Sequence, residues 1–247
     1  CKMDESGADV HLLSSLDDIA WLLNIRGNDI LCCPLVLAYL IIYKDHVELF
    51  ADEEKFSDDM KREFAKNHVA LRPYTEIENA VGKLSGRKKM LIDPERLSYA
   101  LYKLIPDETE MIEKENPEII MKSVKNDIET EHIRRAHLKD AAAHTKFIYW
   151  LKENIGKTEI TERSASARLE EFRKEQDGYL GPSFEPISAY YEHGAIVHYS
   201  ASKESDARLE KGHFLLTDTG GHYKDGSTDI TRTVALGEVS YQEKVDF

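Results

Sequence analysis

The run LLTDTGGHYKDGSTDITRT, residues 215–233, constrains this chain more than any other part of its sequence. An apolar run, Phe214-Leu215-Leu216, leads into Asp218, and an alternating run from Ile230 to Leu236 follows Asp229, eleven residues further on. The intervening residues include Gly220-Gly221 and Asp225-Gly226, which favour reversal of the chain. Two strands folded back on each other bring Asp218 and Asp229 side by side, with their carboxylates on one face if the register allows. Paired carboxylates repel and are costly to bury unless a cation lies between them. Hard divalent ions such as Mn²⁺ and Mg²⁺ favour such oxygen ligands. The competing reading is a pair of solvated turn caps, because Asp is common at strand ends. The matched apolar flanks and the strand-turn-strand frame favour the metal pair.

These residues resemble the metal-binding hairpin of the Xaa-Pro aminopeptidases (aminopeptidase P) among the pita-bread metallopeptidases. The resemblance extends to Ser183-Phe184-Glu185-Pro186-Ile187-Ser188, to Gly194-Ala195-Ile196-Val197-His198-Tyr199, and to the helical stretch from Lys125 to Ala141. Upstream, Leu16-Asp17-Asp18-Ile19-Ala20-Trp21-Leu22-Leu23-Asn24-Ile25-Arg26-Gly27 looks like the opening of the family's middle domain. The resemblance implies that Asp218 and Asp229 are metal ligands and that His198 binds substrate and its transition state. It also implies two divalent ions, Mn²⁺ first among them, that lower the pKa of a shared water for peptide hydrolysis. The substrate would be a peptide with proline second. Five metal ligands are expected in that family, and no His follows Asp229 here. The chain therefore reads as an internal fragment, a middle domain plus the first half of a catalytic domain, and alone it is expected to be inactive.

The expected fold is α/β plus α+β: a creatinase-like middle domain over residues 1–118, then a partial pita-bread catalytic domain over 119–247. Before 118, strands expected at 8–13, 35–43, 46–50, 69–71, 89–92 and 110–112 alternate with helices at 16–23, 53–67, 77–84 and 95–104. Beyond it, long helices are expected at 127–154 and 162–176, with Thr161 as a cap, followed by strands.

Other residues carry less. Thr231 shares the face of Asp229 by alternation and reads as support for the metal ligands. His198 lies in an apolar stretch read as a strand, where an isolated His is ordinarily a hydrogen-bonded core residue; only the resemblance overturns that. His193 and His222 read as solvated loop and turn residues, and His132, His137 and His144 as packing or solvent-facing helix residues. No G-x-S-x-G occurs, and Cys32-Cys33 has no nearby His to activate it.

The net charge, 33 − 46 = −13, argues against nucleic acid as a partner. The longest apolar run, Leu35 to Tyr43, is well short of the ~18 residues of a membrane span. Three cysteines, Cys1, Cys32 and Cys33, make no disulfide framework and fit a reduced cytoplasmic setting. A homodimer is left open. Two alternatives to the aminopeptidase remain: a prolidase restricted to dipeptides, and a non-catalytic pita-bread module that binds a protein or peptide. Retention of both Asp residues ranks the binding module last.

Overall fold

A computed structural model describes residues 2–84, 86 and 88–246, with the backbone alone at Asp246; Cys1 lies outside the described residues. The chain divides into two compact units, one of residues 1–30 and 34–125, the other of residues 31–33 and 126–247.

The first unit is built on strands β1 (Val10–Leu13), β2 (Ala38–Tyr43), β3 (Val47–Ala51), β4 (Val69–Pro73), β5 (Lys89–Ile92) and β6 (Glu110–Glu113). They form one mixed sheet in the order β4-β3-β2-β1-β5-β6. Its helices are α1 (Lys2–Ser6), α2 (Leu16–Leu23), α3 (Asp58–Lys66), α4 (Ile77–Gly82), α5 (Tyr99–Tyr102) and α6 (Pro117–Ser123). Side-chain alternation along β1 directs Leu13 into a core with Leu40, Leu49 and Phe64, and Val10 and Leu12 into one with Ile41, Phe50 and Val81. Burial on both faces explains why Met90-Leu91-Ile92 of β5 reads as a continuous apolar run.

Local chemistry moves several boundaries. The helix expected over 53–67 is interrupted because the Ser57 hydroxyl accepts from Met60 N–H at 3.3 Å and starts α3 afresh. Ser15 stands at the start of α2 but makes no cap bond there; its hydroxyl accepts instead from Asn116 Nδ2. The helix expected over 95–104 shrinks to α5, which begins where the Ser98 hydroxyl accepts from Leu101 N–H. The first unit also runs past 118, because α6 is tethered to it. Glu118 meets the buried His11 at 3.3 Å, and the Lys122 ammonium reaches Asp18 at 2.7 Å.

The second unit opens with α7 (Asp127–Asn154) and α8 (Glu162–Lys174). Asn126 and Glu129 form a reciprocal cap at the start of α7, and Thr161 with Ser164 does the same for α8. The strands are β7 (Tyr179–Pro182), β8 (Ile187–Tyr190), β9 (Phe214–Thr219), β10 (Gly221–Tyr223) and β11 (Ile230–Ala235), and α9 (Tyr241–Asp246) follows. Strands β11-β9-β8 form one antiparallel sheet, and β10 pairs with β7 in another. Leu215, Tyr190 and Val234 share a core with Phe147 and Leu151 of α7 and Leu169 of α8. Ala195-Ile196-Val197 is no strand, contrary to expectation. Tyr191–Ala195 forms a 3-10 turn, and the exposed Ile196 and Val197 follow it.

Candidate functional site

Strands β9 and β11 pair in a register that sets Thr231 opposite Asp218 and Ile230 opposite Thr219, so Asp229 stands at the head of β11. The Thr231 hydroxyl donates to Asp218 Oδ1 at 2.8 Å. Asp218 is half-buried and Asp229 exposed. The Asp229 carboxyl is nonetheless pushed above the usual carboxylate range, first by the desolvation it does experience, then by the negative charge of Asp218 and a hydrogen bond with it; His137 opposes the shift. Two acidic groups competing for one proton are a donor set that a hard divalent ion would relieve. Among the described residues, no group of three or more His, Cys, Asp and Glu side chains could hold a metal. The pair thus fits part of a coordination sphere.

The segment between the two Asp residues is more than a tight turn. After Thr219 the chain leaves β9, pairs with β7 as β10, and reverses through Lys224-Asp225, where Tyr223 and Gly226 exchange backbone hydrogen bonds at 2.8 and 3.1 Å. Gly220 is required at the departure point, because a Cβ there would lie 2.0 Å from the Thr228 carbonyl oxygen and 2.1 Å from Ser183 Oγ. His222 belongs to β10 rather than to a surface turn. One ring nitrogen meets Ser227 Oγ at 2.6 Å and the other the Cys32 carbonyl at 2.9 Å, contacts that free reversal would not supply.

Beneath the hairpin lies a buried ion pair that sequence reasoning did not single out. Arg173 of α8 donates from Nε to Asp140 Oδ1 at 2.6 Å and from Nη2 to Oδ2 at 3.2 Å, with both side chains essentially inaccessible. The same Nη2 donates to Thr219 Oγ1 at 2.9 Å. The hydroxyls of Tyr223 and Thr228 donate to Asp140. Thr219 and Thr228 are the immediate neighbours of Asp218 and Asp229, so one buried pair anchors both ends of the segment that carries the carboxylates. Nothing in the helix sequence distinguishes Asp140 from its solvated acidic neighbours; only the tertiary position of Arg173 does. A cavity of about 460 Å³, lined in part by Glu162, Arg173, Ser188 and Thr219, lies on the opposite side of β9 from Asp218 by alternation and belongs to this helix-packed face.

His198 is exposed, adopts a left-handed φ of 56°, and shares no hydrogen bond with the Asp218, Asp229 and Thr231 trio. It is flanked by His193 and Tyr199, whose rings stack at 4.4 Å. His193 is not free in solvent, since Nδ1 meets Glu162 Oε1 at 2.8 Å. His144 of α7 is buried with both ring nitrogens unpartnered, and its pKa is lowered to about 4, chiefly by burial and then by the Arg173 charge. Cys32 and Cys33 are free thiols, and burial, followed by the charge of Glu185, pushes the Cys32 thiol up.

Comparison with known proteins settles the affiliation of this geometry. The sequence profile of the Creatinase/Prolidase N-terminal domain matches residues 1–129, and that of Metallopeptidase family M24 matches residues 131–246. The chain belongs to the creatinase/prolidase family, and its second half carries part of a Metallopeptidase family M24 domain. It is 37% identical over 247 residues to Xaa-Pro aminopeptidase 1 of Dictyostelium discoideum, which covers 98% of this chain and 39% of that relative. It superposes at a TM-score of 0.92 and 30% identity on the X-prolyl aminopeptidase of Caenorhabditis elegans, described as a cytosolic enzyme with a di-nuclear active site; the match covers 98% of this chain and 40% of that one. The Xaa-Pro dipeptidase of Bacillus anthracis shares the fold, with a TM-score of 0.75 at 22% identity, covering 98% of this chain and 64% of that one. The chain spans about two fifths of the length of the curated relatives it matches. Its first unit is thus the creatinase/prolidase-type α/β domain and its second is part of a pita-bread catalytic domain. No helix among the described residues is long and apolar enough to cross a membrane.

Proposed function

We propose that this chain is part of a metal-dependent aminopeptidase that cleaves the bond between an N-terminal residue and a following proline. The observation that carries the reading is the Asp218–Asp229 pair, one carboxylate on β9 and the other immediately before its partner strand β11, with the Asp229 pKa raised by desolvation and then by the charge of Asp218. Asp218 and Asp229 hold the metal, with Mn²⁺ as the physiological ion, and the Thr231 hydroxyl fixes the orientation of Asp218. The remaining ligands come from sequence outside residues 1–247, in keeping with the two-fifths span of the relatives. When bound, two divalent ions supply Lewis acidity and a water acidified toward neutral pH. His198 donates a hydrogen bond to the scissile carbonyl oxygen as it gains charge, an interaction of about 2.7–4 kcal/mol if it behaves like other oxyanion donors. The substrate is a peptide with proline second, and the setting is the cytosol, which the free Cys32 and Cys33 suit.

The test uses the complete reading frame that carries this chain, loaded with Mn²⁺ and offered an Xaa-Pro-Yaa tripeptide, an Xaa-Ala-Yaa tripeptide and an Xaa-Pro dipeptide. Cleavage of the proline tripeptide in preference to the alanine tripeptide supports the proposal. Cleavage of the dipeptide alone assigns prolidase activity, and no cleavage of any of them removes the enzymatic reading.

A further inference from the structure

Glu162 is a carboxylate with no accessible surface, yet no lysine or arginine is paired with it among the described residues. Burial of an acidic group is costly unless its oxygens are filled by donors. Here four donors converge. Oε1 accepts from Tyr190 N–H at 2.7 Å and faces His193 Nδ1 at 2.8 Å. Oε2 accepts from the Tyr199 hydroxyl at 2.9 Å and from Ala207 N–H at 3.1 Å. All four partners lie in one stretch, residues 190–207, and two of them, His193 and Tyr199, bracket His198 in sequence and stack on each other at 4.4 Å.

The backbone of that stretch needs such fastening. Tyr191 and His198, neither of them glycine, adopt left-handed φ values of 52° and 56°. Strained conformations of this kind persist where surrounding contacts over-determine them. Within the turn, Ile196 N–H donates to the His193 carbonyl at 3.0 Å and Tyr199 N–H to the Ile196 carbonyl at 3.2 Å. Ile196 and Val197 are 54% and 84% exposed, so apolar burial does not hold it. Glu162 itself is held firmly, following the Thr161 cap at the start of α8.

We infer that Glu162 is the positioning residue for His198: its four hydrogen bonds hold the 190–207 turn in the one backbone conformation that presents the His198 ring. This rests on the proposed role of His198 and adds a residue that does not itself touch substrate. Replacing Glu162 by Gln keeps the volume but sets an amide N–H₂ against a donor that the carboxylate accepted, Ala207 N–H or Tyr190 N–H.

The test is a double-mutant cycle in the complete Mn²⁺-loaded enzyme, with His-ring NMR on the same complete protein, metal-free, as a readout independent of activity. Glu162→Gln is expected to lower kcat at least ~10-fold with little change in KM, and to add nothing further in a His198→Ala background, because both changes then act through one ring. In the spectra, the His198 ring resonances of Glu162→Gln should move toward those of an unstructured histidine while the resonances of buried His144 stay fixed. A multiplicative effect of the two substitutions on kcat, or an unmoved His198 resonance, overturns the inference. If His198→Ala alone leaves kcat intact, the proposed role of His198 fails, whereas the ring resonance still reports whether Glu162 holds the turn. Should Glu162→Gln fail to fold, Tyr199→Phe removes the hydroxyl that donates to Glu162, together with its contacts to the Ser205 carbonyl and hydroxyl, and carries the same cycle.

Discussion

Replacing Arg173 by Met should unfold the second unit's foundation more than any single surface change. The substitution retains an unbranched side chain of similar reach but removes the guanidinium that gives Asp140 two hydrogen bonds and Thr219 one. Asp140, with no accessible surface, then keeps a buried negative charge met only by the hydroxyls of Tyr223 and Thr228. Removing one partner of a buried pair costs about 3–5 kcal/mol, because the remaining charge is uncompensated. For a unit of this size that corresponds to a fall in Tm of roughly 10–20 °C. The chain has two tryptophans, and they fall in different units, Trp21 in the first and Trp150 in the second. Urea unfolding followed by Trp150 fluorescence in a Trp21→Phe background therefore reads the second unit alone. Adding Asp140→Leu to Arg173→Met should recover much of the loss, because no orphan charge then remains. A loss below about 1 kcal/mol for Arg173→Met, or a double variant no more stable than the single one, would mean that Arg173 does not compensate a buried Asp140 charge.

Three further outcomes are expected. His144 has a folded-state pKa of about 4 against an ordinary 6.5, so below pH 6.5 the unfolded chain takes up a proton that the folded chain refuses. Its effect is negligible above that pH and grows as pH falls toward 4, to about 2 kcal/mol of lost stability at pH 5; His144→Leu should remove that slope in urea titrations across pH 5–7.5. Gly220→Ala should cost about 1–3 kcal/mol or more by differential scanning calorimetry, because the new methyl must displace the Thr228 carbonyl. In the complete enzyme, His198→Ala should reduce kcat at least ~10²-fold with Tm nearly unchanged, as its exposure implies; a large stability loss with turnover intact would assign His198 a structural role.

Much of the fold was legible where local pattern and tertiary context agree. α2, β5 and α7 begin and end at the residues that periodicity and capping signals mark, and β9 and β11 flank the segment where the Asp pair was expected. Alternation marked Thr231 as sharing the face of Asp229, but the register that sets it opposite Asp218 was left open by the sequence. Two kinds of feature were not legible. Residues 195–197 look like a strand because Ala195, Ile196 and Val197 are apolar, but the turn that contains them is held by Glu162, a residue more than thirty positions away whose burial no local pattern announces. The Asp140–Arg173 pair is equally hidden. Both residues lie in helices rich in exposed charge, and only the packing of α7 against α8 makes these two the buried ones. The left-handed φ of His198 belongs to the same class, since histidine carries no sequence mark for it.

If Asp218 and Asp229 hold metal together, neutralising one of them must release it. Metal content by elemental analysis and Mn²⁺-dependent cleavage of an Xaa-Pro-Yaa tripeptide should be measured on one preparation of the complete protein, wild type beside Asp229→Asn. The amide keeps the shape of the side chain but removes the charge that balances the ions. The variant is expected to fold with unaltered Tm in the absence of metal, to lose most of its bound Mn²⁺ and to be nearly inactive. Wild-type metal content together with wild-type turnover in Asp229→Asn would contradict joint metal binding by Asp218 and Asp229.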